Sequence, residues 1–144
     1  MSTVIFTCDI SAPVEANFVL QVLCDDKIVA EYQPVNSHEF VHAFEDSVDP
    51  IEHSIEFRMR GKTSDHTLLN EQGEIIQDHL LLIQNKRFEN IDVNYAFDRD
   101  SVYTHNFNGT AAETQDTFCG IMGCNGSVKF EFTTPIYLWM LENL

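Results

Sequence analysis

The chain has 144 residues and a formal net charge of −15, from 8 Lys+Arg against 23 Asp+Glu. That length buries a core without help from metal or disulfides. A composition of 44% hydrophobic and 22% charged residues belongs to a folded protein, not a disordered one. The charge excludes nucleic acid as a partner, because phosphate is repelled over most of such a surface. No apolar run approaches the length of a membrane span. Met1-Ser2-Thr3-Val4-Ile5-Phe6 has no basic region before its apolar stretch, so no signal peptide is expected.

Alternation starts early, with Val4, Phe6 and Cys8 on one face. Phe18–Cys24 is apolar on both faces, as a central strand is. Asp25-Asp26-Lys27 then predicts a tight hairpin into Ile28–Gln33. A strand follows at His38–Glu45, and Asp46–Pro50 turns the chain into Ile51–Arg60. There Ile51, His53, Ile55, Phe57 and Met59 share the inner face, opposite Glu52, Ser54, Glu56, Arg58 and Arg60. Gly61–Gln77 is polar and reads as a loop. Leu80–Ile83 reads as a second central strand. Ile91–Phe97 places Ile91, Val93, Tyr95 and Phe97 together and predicts a strand.

Phe107–Gly126 holds four of the six glycines and predicts a long loop, the kind that carries function. In Ser127–Thr133, Val128, Phe130 and Phe132 point in, while Lys129, Glu131 and Thr133 point out. Pro135–Leu144 closes the chain as a short helix or apolar tail. Strands recurring every roughly 8–12 residues predict an all-β fold, an antiparallel β-sandwich of jelly-roll type with about eight strands. No repeat or linker divides the chain, so a single domain over 1–144 is expected.

The chemistry-bearing residues are sparse. Cys8, Cys24, Cys119 and Cys124 read as free thiols, and zinc is disfavoured because only Cys119 and Cys124 are close in sequence. No Walker loop or dinucleotide fingerprint is present, and no sequence pattern selects a nucleophile or a catalytic carboxylate pair. The chain is therefore expected not to be an enzyme. His38 and His42 are too far apart along a strand to chelate one ion, and His53 reads as a satisfied core histidine. Asp65-His66 and Asp78-His79 flank the polar segment and meet if it closes. Asp65 and Asp78 are the candidate metal ligands, with calcium as the metal their oxygens suit. Tyr95, Tyr103 and Phe118 lie near the long loop in sequence. With Asp65, His66 and Asp78 they form the candidate ligand-binding set, since sugars offer apolar ring faces and hydroxyl edges.

Phe18–Tyr95 resembles the jelly-roll carbohydrate-binding modules of the calcium-dependent xylan-binding type. The resemblance rests on Val22-Leu23-Cys24-Asp25-Asp26-Lys27-Ile28-Val29, His53-Ser54-Ile55-Glu56-Phe57-Arg58, Asp78-His79-Leu80-Leu81-Leu82-Ile83 and Phe88-Glu89-Asn90-Ile91. It implies a calcium-holding role for Asp78. The family's Asn-Asp pair ahead of the loop is absent, and Gly61-Lys62 stands in its neighbourhood, where a lysine opposes a cation. The whole chain also resembles the small acidic accessory proteins of marine tailed phages, through Gly61-Lys62-Thr63, the Gly73–Asp78 turn and Thr134-Pro135-Ile136-Tyr137-Leu138-Trp139.

Together these give the functional expectation of a non-enzymatic binding or structural module. The leading form is an accessory virion protein, cytoplasmic before assembly, with protein partners in a larger, oligomeric assembly. The alternative is a soluble carbohydrate-binding module that takes polysaccharide, with calcium as its candidate cofactor.

Overall fold

A computed structural model describes residues 2–144. Two antiparallel sheets pack face to face as the expected jelly-roll sandwich. The strands are β1 (Thr3–Ser11), β2 (Val19–Cys24), β3 (Lys27–Tyr32), β4 (Ser37–Glu45), β5 (Ile51–Arg60), β6 (Thr67–Leu69), β7 (Ile75–Asp78), β8 (Leu81–Phe88), β9 (Ile91–Asp92), β10 (Val102–His105), β11 (Thr114–Thr117), β12 (Ile121–Met122) and β13 (Gly126–Thr134). The helices are α1 (Asn94–Asp100) and α2 (Ile136–Asn143). One sheet runs β12-β8-β1-β4, with β9 on β8; the other runs β11-β10-β13-β5-β2-β3. β6 and β7 form a separate hairpin. The sandwich holds more than the expected eight strands because short ones such as β9 and β12 flank the long ones.

The period-two reading holds where the strands are long. Val4, Phe6, Cys8 and Ile10 of β1 face Ile55, Phe57 and Met59 of β5 and Val128, Phe130 and Phe132 of β13 across one core. Asp25 and Asp26 both take positive φ, 51° and 65°, which supplies the tight turn between β2 and β3. Gly126 opens β13 so close to β10 that a Cβ would lie 2.2 Å from the Thr104 carbonyl oxygen, and only glycine fits.

Three expectations need correction. Ile91–Phe97 is not a strand: it is the two-residue β9 followed by α1. Val93 and Phe97 are buried four residues apart, which fits a helical period as well as a strand's. The Asp92 carboxylate decides the matter locally by accepting from the Asn94 backbone N–H at 2.8 Å, which starts the turn. Phe107–Gly126 is not one loop, because β11 and β12 lie within it and join opposite sheets. Gly61–Gln77 is likewise structured, by a short 3-10 turn at Ser64–His66 and the β6–β7 hairpin.

The apolar C-terminus is helical, as expected. α2 buries Ile136, Trp139 and Met140, and Trp139 meets Phe88, Phe130 and Phe132 with ring centroids 5.7–6.4 Å apart.

All four cysteines are free thiols. Cys8 and Cys24 are buried in the core, Cys119 is exposed and Cys124 is half-buried. Burial pushes the Cys8 thiol up and the Cys24 thiol up to about 12. A thiol raised in the folded state contributes stability that is intact below its ordinary value and is lost as pH rises through the raised one. A thiol-reactive dye at neutral pH should therefore label Cys119 first. Cys8 and Cys24 should react only after denaturant, or as the fold loosens above about pH 9. Rapid labelling of Cys8 in the native protein would contradict the core assignment.

Candidate functional site

The β6–β7 hairpin brings part of the predicted set together. Thr67 pairs with Asp78 across it, and the His79 backbone N–H donates to the His66 carbonyl at 2.9 Å. The His66 and His79 rings lie 5.8 Å apart, and His66 also meets Phe18. Asp65 is left exposed on the preceding turn.

Asp78 is already engaged. Its Oδ1 accepts from the Lys62 ammonium at 2.6 Å and from the Thr67 hydroxyl at 2.8 Å. Lys62 is 5% exposed, and its ammonium also donates to the Gly123 carbonyl at 2.6 Å. Calcium takes six to eight oxygen ligands. Here a fixed positive charge stands against the only carboxylate of the cluster that is drawn in. Among the described residues, no group of three or more His, Cys, Asp or Glu side chains is arranged to hold a metal ion. The calcium expectation for Asp65 and Asp78 therefore does not fit these side chains.

Two of the three predicted aromatics are not platforms for a ligand. Phe118 is 1% exposed and packs edge-on against Phe97 and Tyr103. Tyr103 is buried, and its oxygen accepts from the Cys124 backbone N–H at 2.9 Å. Burial raises its phenol to about 12, although its hydrogen bond to the Cys124 carbonyl opposes the shift. Tyr95 alone of the three is open, 79% exposed on α1 with the Arg99 guanidinium 5.6 Å from its ring centre. Sequence proximity to the long loop suggested surface positions, but Tyr103 points inward from β10, and Phe118, just after β11, packs against it in the core.

A second buried lysine lies in a strand that changes parity. Leu81 and Ile83 face inward, then Asn85 takes φ 54° and shifts the register, so that Lys86 and Phe88 face inward instead. The Lys86 ammonium donates to Asp98 Oδ1 at 2.7 Å and to the Ile83 carbonyl at 2.9 Å. It also lies over the Phe97 and Phe118 rings, 5.5 and 5.1 Å from their centres. Desolvation raises the Asp98 pKa more than the Lys86 ammonium lowers it.

The outer face of the six-stranded sheet carries a continuous row of polar side chains. Strand register sets Glu31, Gln21, Arg58, Ser127, Thr104 and Gln115 side by side, one from each of β3, β2, β5, β13, β10 and β11. Five inter-strand steps of about 4.8 Å make this row about 24 Å long. Three depressions, of about 420, 470 and 310 Å³, lie one after another along the outward sides of β5 and β13 and so cross this row. The first two share Thr104 and Ser127, and the second and third share Lys129 and Glu131. They therefore join into one open trough. Arg58 donates to Glu56 beside it, and His105 Nε2 faces Asp116 Oδ2 at 2.6 Å at one end.

Sequence patterning had marked the outward sides of β5 and β13, but it could not align them with Gln21, Thr104 and Gln115. That alignment depends on pairings between strands distant in the chain.

No protein-family model matches the chain, and no curated protein matches it. Among solved structures it is similar to "vCBM60 in complex with galactobiose", at 12% identity and a TM-score of 0.48, covering 88% of this chain and 96% of that one.

Proposed function

We propose that the chain is a non-catalytic binding module whose ligand is a polysaccharide laid along the outer face of the six-stranded sheet. The supporting observation is the row from Glu31 to Gln115, in which amides, hydroxyls and charged groups of both signs stand at strand spacing across a sheet face that also carries an open trough along β5 and β13. Sugar hydroxyls both donate and accept, and such a mixed row satisfies both roles. An open trough suits an extended ligand better than the enclosed pocket that small molecules favour. Tyr95 lies outside this trough, so recognition in this reading is by hydrogen bonds and not by ring stacking.

The test is affinity electrophoresis against a panel of soluble neutral and acidic polysaccharides, with Gln21→Ala, Arg58→Ala and Gln115→Ala as variants. One polysaccharide should retard the wild type, and the Arg58→Ala variant should bind it roughly tenfold more weakly, the scale of a hydrogen bond to a charged group. A panel that leaves the wild type unretarded, or variants retarded equally, would remove this reading.

A second reading is favoured by a different surface. The β6–β7 hairpin exposes Leu68, Leu69, Ile75 and Ile76, each more than half open to solvent. Exposed aliphatic side chains grouped in this way mark protein contacts. The assembly partner expected of an accessory virion protein belongs to this reading, and mass spectrometry of purified particles tests it.

A further inference from the structure

The Lys62 cluster ties together three segments that are remote in sequence. The ammonium joins Asp78, at the end of β7, to the Gly123 carbonyl, which precedes β13. The Lys62 backbone N–H donates to Asn125 Oδ1 at 2.8 Å, and Asn125 Nδ2 donates back to the Lys62 carbonyl at 2.9 Å. The Asn125 N–H in turn donates to Asn108 Oδ1 at 2.8 Å.

Taking an ammonium out of water is costly unless oxygens replace its hydration shell. Lys62 and Lys86 solve this in the same way, each with one carboxylate and one backbone carbonyl. Hard oxygen donors of this kind are what a calcium ion takes, but the number here suits the three N–H donors of an ammonium and not a metal's larger shell. A buried ion pair is weak evidence of net stability, and its better-attested use is to fix register.

We propose that Lys62 is a tethered cation that stands in for a metal at this end of the sandwich, fixing the β6–β7 hairpin to the Gly123–Asn125 loop so that neither needs calcium. The proposal concerns how this end is held and stands whether or not polysaccharide binds the trough.

Hydrogen exchange measured by mass spectrometry over residues 62–79 and 121–127 tests it. The wild type should exchange at the same rates, and melt at the same temperature, in chelator and in calcium at about 10 mM, above the weakest class of protein calcium sites. Lys62→Met keeps the stem and removes the charge. It should exchange at least roughly tenfold faster in both segments, because Asp78 and the Gly123 carbonyl lose their shared donor. Lys27→Met, a charge removed from an exposed strand, should leave both segments unchanged. If Lys62→Met does not fold, Asp78→Asn serves in its place, with faster exchange in the same two segments expected. A wild type that melts higher or exchanges more slowly in calcium would overturn the proposal. So would a folded charge-removed variant that exchanges at wild-type rates.

Discussion

Asp98→Ala should destabilise the protein by about 3–5 kcal/mol, because it leaves the Lys86 ammonium buried without its carboxylate. Lys86 is 1% exposed, and its remaining partners would be the Ile83 carbonyl and two phenylalanine faces. Urea denaturation followed by tryptophan fluorescence measures the loss, since Trp139 packs against the same core. The double variant Lys86→Met with Asp98→Leu should recover most of that loss, as apolar replacements of buried pairs do. A single variant that unfolds at the wild-type midpoint would show that Lys86 reaches water.

Phe97→Ala should cost about 3–5 kcal/mol, the range for deleting a fully buried ring. Phe97 comes from α1, yet it sits where the two sheets meet. Its ring centre is 4.3 Å from that of Phe130, 5.8 Å from Phe6, 6.3 Å from Phe57 and 6.4 Å from Phe118. Removing it therefore opens a cavity bordered by both sheets and lowers the urea midpoint. Phe97→Leu refills part of that volume and should lose less than half as much. A small effect from Phe97→Ala would mean that the sandwich can collapse around the gap.

The sandwich was legible in the sequence because its long strands alternate without interruption. β5 and β13 carry their inward and outward residues as the pattern places them, and the Asp25-Asp26 turn lies where predicted. The failures have local causes. At Asn85 a single positive-φ residue reverses the parity of β8, so Lys86 enters the core at a position the alternation assigns to solvent. At Val93 and Phe97, two apolar residues four apart satisfy both periods, and an aspartate two residues before the helix tips the balance.

The candidate site was half legible. Asp78 was singled out, but the partner it meets is Lys62, which the sequence marked only as a charge opposed to a cation, while Asp65 stays exposed. The polar row was not visible as a whole, because a row across six strands is a property of pairing order, and sequence alone carries little of that order.

The strand order has a consequence for biosynthesis. β13, the last strand of the described chain, lies between β10 and β5, so the β10–β11 pair cannot join the rest of its sheet until β13 emerges. β1, made before both its neighbours, lies between β4 and β8, so one of its edges stays unpaired until β8 is made. Such an arrangement postpones closure of the core until β13 has been made and places folding in the slow, millisecond-to-second class of non-local β topologies. During that wait the nascent chain is most open to aggregation, and a strongly negative chain is well suited to pass through it by self-repulsion.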